Sequence, residues 1–385
     1  MTQQQQITSK EDVLEIRGLR MIFHTYAGEV KALDGIDLKM RKGEFFGLVG
    51  ESGCGKSVTA LCISRLLPEN AEILDGQIML KGEDLLRKTN NEMREVRMKR
   101  IAMVFQDPMT FLNPVLTIGQ QIAEVYLLEP KGLSKEYAEK KIQELNGKLK
   151  TLSEEEPEYN KLKKHIEGYE TILASGGSLP KKGLKEAAWE LTVDVLRMVR
   201  LADPERIAKQ YPHELSGGMR QRAMIAMALA RNPDIFIADE ITTALDVTVQ
   251  AQILALLKEL RKEIGASILI ITHDLGIVAQ ICDRVAVMYA GNIVELADVK
   301  EIFRNPLHPY TQGLIKAIPP LEREVEALDS IPGSVPDLIY PPPGCRFHPR
   351  CAYAFDACKQ YKPPLIEAAP SHFVECFLYG GLRNE

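Results

Sequence analysis

With 385 residues, 45% of them hydrophobic, the chain can bury a substantial core, and at roughly 100 to 200 residues per domain it has room for two or three units or for one large domain with appendages. A formal net charge of −5 supplies none of the concentrated basic surface that phosphate neutralisation requires, which argues against a nucleic-acid partner. The polar N-terminus lacks the apolar core of a secretion signal, and no stretch reaches the about 18 uninterrupted apolar residues of a membrane span, which predicts a soluble, cytosolic chain.

From Val13 to Leu80 the pattern is one of short strands: LEIRGLRMIF, the alternating KALDGIDLKM, and the apolar run FFGLVG. The apolar residues of KSVTALCISRLL then fall at helical spacing. Between that last strand and the helix, Gly50-Glu51-Ser52-Gly53-Cys54-Gly55-Lys56-Ser57 matches GxxxxGK[ST] in full. Its glycines let the backbone wrap closely, so that successive N–H groups and the helix N-terminus face phosphate oxygens. Lys56 would neutralise the β and γ phosphates of ATP, Ser57 would ligate Mg²⁺, and Val58 continues the loop into the helix. An ordinary glycine turn is the alternative, and the strand and helix on its two flanks argue against it.

The strand RIAMVFQ ends on Gln106, placed to touch Mg²⁺ or the attacking water, and from Thr117 the chain turns helical. The Lys- and Glu-rich stretch from about Glu129 to Glu186 reads as a surface helical hairpin broken near Pro157 and Gly176-Gly177, either a solvated excursion or a docking element. Leu215-Ser216-Gly217-Gly218 opens the next helix with backbone donors suited to a phosphate. Asp239-Glu240 closes the strand PDIFIADE, where Asp239 suits a Mg²⁺ contact and Glu240 a general base. His273 ends the next strand, ASILIITH, within reach of the same γ-phosphate. VQAQILALLKELRKEIG between those strands is an amphipathic helix, and DRVAVMYAGNIVELA a closing hairpin. Strand, crossover helix and strand in succession predict an α/β fold with a mostly parallel sheet. After Ile318 the chain is proline-dense and reads as a linker.

Phosphate loop, Gln106, LSGGMRQR, Asp239-Glu240, Thr243-Ala244-Leu245-Asp246 and His273, in that order, resemble the nucleotide-binding subunits of ABC transporters from about Leu14 to Ala297. The resemblance implies a phosphate-loop NTPase fold with a mixed sheet, and a head-to-tail dimer of cassettes with ATP between one phosphate loop and the other signature. Ser216, Gly217 and Gly218 would thus serve ATP bound mainly by the partner, and Asp246 is a further nucleotide-binding candidate. In this family an upstream aromatic ring stacks on adenine; Phe23 is the first candidate and Tyr26 the second. Two departures stand out: Ile241 where the family usually has proline, and the long charged hairpin.

The stretch Asn305-Pro306-Leu307-His308-Pro309-Tyr310-Thr311-Gln312-Gly313-Leu314 resembles the C-terminal extension of oligopeptide, dipeptide and nickel importers. That resemblance implies two membrane permease subunits, an extracytoplasmic peptide-binding protein, a place at the cytoplasmic face of the membrane, and a second, distinct ATPase subunit, with a homodimer as the alternative. The layout expected is a cassette at 1–300, with a helical signature subdomain at 117–225 carrying the insertion 129–186, a linker at 301–344, and a small irregular tail at 345–385.

In that tail, Cys345, Cys351, Cys358 and Cys376 can surround one metal centre. Structural zinc favours tight CxxC pairs, absent here, whereas iron–sulfur clusters take four cysteines at varied spacings. Four unconnected thiols are the plain alternative. Some dipeptide-importer ATPases carry a 4Fe-4S cluster in this tail, and the resemblance implies one here, with Zn²⁺ second.

Overall fold

The computed structural model describes residues 11–105, 111–243, 245–318 and 331–380. Its strands are β1 (Asp12–Thr25), β2 (Gly28–Arg41), β3 (Phe45–Val49), β4 (Ala71–Leu80), β5 (Glu83–Asp84), β6 (Ile101–Val104), β7 (Ile235–Asp239), β8 (Ser267–Thr272), β9 (Arg284–Tyr289), β10 (Asn292–Asp298), β11 (Leu365–Ala369) and β12 (His372–Glu375). They all belong to the first of two compact units, which draws on Met1–Gln106, Pro233–Thr243 and Leu257–Glu385.

Alternating side chains need only one buried face, and the first hairpin shows this: Leu14, Ile16, Leu19 and Met21 of β1 and Ile36, Leu38 and Met40 of β2 are buried. Between Ile16 and Leu19 the register shifts, which returns the apolar set to the core face. These strands join β4 and β5 in a four-stranded antiparallel sheet, order β2-β1-β4-β5. Apolar runs without alternation are buried on both faces instead. Accordingly β3, β7 and β8 are buried throughout and lie inside an eight-stranded sheet, order β11-β12-β10-β9-β3-β8-β7-β6. From β9 to β6 neighbours are parallel, while β10, β12 and β11 are antiparallel, giving the mixed sheet the family resemblance implied.

The tail departs from the irregular segment expected. Strands β11 and β12 form a hairpin that extends the sheet from β10, pairing Glu295 with Val374 and Leu296 with Phe373. Strands this short gain stability only by adding to an existing sheet edge, so nothing local marks them in the sequence. The proline-rich stretch is also tied down where it is described. Leu338 accepts a hydrogen bond from the Lys31 amide at 2.9 Å, and the Arg346 guanidinium donates to the carbonyls of Ala290 and Lys31 at 2.5 and 3.1 Å.

A histidine anchors the start of this extension. His308 caps the helix Pro309–Lys316, its Nδ1 accepting the Tyr310 amide at 3.0 Å. Burial pushes it down from the usual 6.5 to about 4, against the pull of the Glu295 carboxylate, which also accepts from the His308 amide and faces His372. A group depressed in this way is protonated more readily in the unfolded chain. Stability is therefore full above about pH 6.5 and declines as the pH falls toward 4, by on the order of 3 kcal/mol. In His308→Asn, whose amide oxygen can still cap the helix, urea unfolding across that pH range is expected to show a correspondingly smaller acid-side loss.

The second unit, from Asp107–Asn232 and Ala244–Leu256, is helical among its described residues. Thr117 opens the helix Ile118–Leu127 with a reciprocal capping box to Gln120. Pro130 and Pro157 occupy first turns, where a missing N–H costs nothing, and Gly176 ends the helix Pro157–Ser175 in the left-handed conformation, φ 59°. The charged stretch is thus a pair of helices, Pro130–Leu149 and Pro157–Ser175. It packs back on the chain itself: Leu133, Ala138 and Ile166 are buried, and Lys140 and Lys141 pair with Glu190 and Asp194 of the helix Lys181–Met198. Among the described residues no helix is long and apolar enough to cross a membrane.

Candidate functional site

Main-chain amides can be aimed at an anion only where the chain turns without side chains in the way. Residues 50–55 make that turn between β3 and the helix Lys56–Ser64. Gly50 has φ +155°, and a Cβ there would stand 2.1 Å from the Met288 carbonyl oxygen, so the loop is seated directly on the end of β9. Cys54 is fully buried beneath the loop, its thiol pushed up by burial, and Val58 packs on the core. Ser52 and Gly53 are exposed, while Gly55 is buried. Lys56 is itself buried, and its Nζ donates to the carbonyls of Gly50 and Glu51 at 2.8 and 3.0 Å.

The parallel strands deliver the remaining groups at their C-terminal ends, where open α/β sheets place ligands. Ser57 Oγ donates to Asp239 Oδ1 at 3.2 Å. Burial pushes the Asp239 carboxyl up and the Glu240 charge adds to this, while the Ser57 hydrogen bond and the Lys56 charge oppose it. A hydroxyl and a carboxylate oxygen side by side are the hard oxygen donors that Mg²⁺ takes, and its charge would offset this crowding. Glu240 has φ +50°, unusual for a residue with a side chain. The turn is held by its amide on Ile271 O at 2.9 Å and by Thr243 N on Glu240 O at 3.0 Å. Those bonds close the turn with Ile241, whose side chain is buried, where the family has proline. The Glu240 carboxylate accepts from Thr243 Oγ1 at 3.4 Å and faces His273 Nδ1 at 3.2 Å. A carboxylate so oriented can take a proton from water, with the imidazole steadying it.

Other predicted residues fall elsewhere. Gln106 lies outside the described residues. Phe23 is half-buried against the core in β1, whereas Tyr26, at the β1–β2 turn, is fully exposed. In the second unit Ser216 caps the helix Gly217–Leu229, its Oγ accepting the Met219 amide at 3.3 Å. Asp246 similarly accepts the Val249 amide at 2.9 Å at the start of the helix Val247–Ile264. Gly218 also has a packing duty that the sequence does not announce. A Cβ at Gly218 would lie 2.7 Å from Val249 Cγ1. Gly218→Ala is expected to cost about 1–3 kcal/mol in thermal unfolding, most of it recovered in Gly218→Ala/Val249→Ala. Sequence reasoning missed Tyr310 and Arg350, which hold Glu51 of the phosphate loop; the one available signal was an acidic residue inside a loop meant for phosphate.

Cys345, Cys351, Cys358 and Cys376 line one small cavity together with Phe347 and Phe377, and all four are free thiols. Burial pushes Cys345 up to about 12 and Cys376 up to about 11, and raises Cys351 as well. Among the described residues no three His, Cys, Asp or Glu side chains are grouped to hold a single metal ion. Tetrahedral zinc with Zn–S bonds of about 2.3 Å needs its sulfurs about 3.8 Å apart, so this arrangement lends the zinc alternative no support, and it shows no metal site for the 4Fe-4S cluster that the resemblance implied either.

Residues 33–243 match the ABC transporter family model, and 294–358 match that of the oligopeptide/dipeptide transporter C-terminal region. The chain belongs to the ABC transporter family. This ABC ATPase is 44% identical to the probable peptide ABC transporter ATP-binding protein y4tR of Sinorhizobium fredii, across 95% of this chain and 94% of that one. It is likewise 44% identical to the dipeptide transport ATP-binding protein DppD of Bacillus subtilis, across 96% and 95%. Its fold matches the dimeric post-hydrolysis state of the ATP-binding cassette MJ0796 bound to ADP and Pi, with TM-score 0.54 and 23% identity over 74% of this chain and 98% of that one. As a member of this family the ABC ATPase couples ATP hydrolysis to transport.

Proposed function

We propose that this ABC ATPase energises the import of di- and oligopeptides, seated at the cytoplasmic face of the membrane on two permease subunits that an extracytoplasmic peptide-binding protein supplies. The observation that carries the reading is the oligopeptide/dipeptide C-terminal region matched at 294–358, joined to the ABC transporter match at 33–243. Lys56 and the amides of residues 50–57 bind the triphosphate, and Ser57, Asp239 and Gln106 hold Mg²⁺, which neutralises charge on the phosphates. Glu240 takes the proton of the attacking water, positioned by His273 and Thr243. Tyr26 covers the adenine, because its ring is free while that of Phe23 is committed to the core. Ser216, Gly217, Gly218 and Asp246 serve the ATP of the partner cassette, a distinct subunit.

The test is uptake by cells lacking this chain, offered labelled dipeptide, tetrapeptide and nickel in turn. Peptide uptake is expected to be lost and restored by the intact chain; loss of nickel uptake alone would overturn the peptide cargo.

The four cysteines hold an iron–sulfur cluster, a group larger than a single ion; their convergence on one cavity supports this, and the cluster serves as a structural tie within the tail. Purified protein is expected to be brown, with broad visible absorption lost in Cys351→Ser. A colourless protein with stoichiometric zinc would rule the cluster out.

A further inference from the structure

An acidic side chain in a phosphate-binding loop poses an electrostatic problem, because a carboxylate facing the triphosphate would repel it. Glu51 is an acidic residue of that loop, and the C-terminal extension supplies its counter-charge from outside the cassette motifs. Both terminal nitrogens of Arg350 grip the Glu51 carboxylate, at 2.7 and 3.1 Å, in the forked geometry that suits guanidinium and carboxylate. Arg350 is in turn fixed, its side chain only 5% exposed. Its Nε donates to Pro332 O at 2.8 Å, its Nη2 to Ile331 O at 3.3 Å, and its guanidinium lies 5.7 Å from the centre of the Tyr289 ring. The main chain of Glu51 is held as well: its amide donates to the hydroxyl of fully buried Tyr310 at 2.9 Å, and its carbonyl accepts from Lys56 Nζ at 3.0 Å. One residue therefore links the C-terminal extension to the lysine of the phosphate loop.

We propose that Arg350 and Tyr310 are positioning residues for ATP: they draw the Glu51 carboxylate away from the phosphates and fix the loop that orients Lys56. The C-terminal extension thereby sets the nucleotide affinity of the cassette. The segment ordering Arg350 includes Cys351, the next residue, so the arm and the cysteine cavity are built together. This inference rests on the phosphate loop being the ATP site.

The test is a double-mutant cycle on the full chain, reading the Kd for Mg-ATP by calorimetry and KM and kcat for hydrolysis in the assembled transporter. Arg350→Met leaves a carboxylate unpaired beside the phosphates and is expected to raise Kd and KM about tenfold or more, with kcat changed far less. Glu51→Gln removes the repelling charge, so Glu51→Gln/Arg350→Met is expected to return to within about twofold of Glu51→Gln alone. A merely structural role for Arg350, through the Pro332 and Ile331 carbonyls, would not be rescued in this way. If Arg350→Met yields no folded protein, Arg350→Lys serves instead; it keeps the charge and loses the fork, and a Kd about threefold weaker, restored in the Glu51→Gln background, is expected. An unchanged Kd in the Arg350 variant, or a double variant as weak as the single one, overturns the proposal. A wild-type chain with no ATP affinity in the same titration overturns the ATP-site reading itself, and this proposal with it.

Discussion

Replacing Glu240 by Gln is expected to lower steady-state ATP turnover roughly 10² to 10⁴-fold while leaving the Kd for Mg-ATP within about twofold. The amide keeps the size and the hydrogen-bonding reach of the side chain, so Thr243 Oγ1 and His273 Nδ1 retain a partner. It loses the ability to accept a proton from water, which is the single step assigned to this group. In the proposed site triphosphate binding rests on other residues: the amides of the loop, Lys56, and the Ser57–Asp239 pair. The signature of the variant is therefore a split between kcat and Kd, read by phosphate release and by calorimetry. Parallel loss of both would mean that Glu240 holds the turn together and does not act on water.

Gly50→Ala is expected to produce the opposite split, a loss of ATP binding of roughly 100-fold or more that precedes any effect on chemistry. The new methyl would stand 2.1 Å from the Met288 carbonyl oxygen and 2.8 Å from Cys54 Sγ. A backbone carbonyl in a central strand cannot yield, because β9 is buried along its length and hydrogen-bonded on both sides. The loop must move instead, and its amides and the Lys56 ammonium lose their aim together. The same displacement would cost about 1–3 kcal/mol of overpacking, visible as a lower melting temperature. Binding of Mg-ATP at wild-type affinity would show that the loop has room the geometry denies it.

The parts of this molecule legible in the sequence are those dictated by local chemistry. A glycine-rich turn before Lys56-Ser57, a carboxylate pair ending an apolar run, and a serine ahead of two glycines each bear a local mark, and the structure brings Ser57, Asp239, Glu240 and His273 together. What stayed hidden depends on distant partners. Nothing in LIEAA or HFVE distinguishes a strand from a loop until β10 offers an edge. Nothing near Arg350 names Glu51 as its partner, 299 residues away. The packing of the charged hairpin is hidden for the same reason: Lys140 and Lys141 find their partners only once Glu190 and Asp194 stand opposite them. Distance along the chain puts Phe23 ahead of Tyr26 as the adenine candidate, and it cannot reveal that Phe23 is packed against the core while Tyr26 is open.

The central claim, that hydrolysis at Glu240 drives peptide import, is tested most directly by ATP-driven uptake of a labelled dipeptide into vesicles bearing the permease pair, the partner cassette and this chain. Uptake is expected with the intact chain and Mg-ATP, and is expected to vanish with Glu240→Gln although that variant still binds the nucleotide. Uptake undiminished by Glu240→Gln would contradict the account.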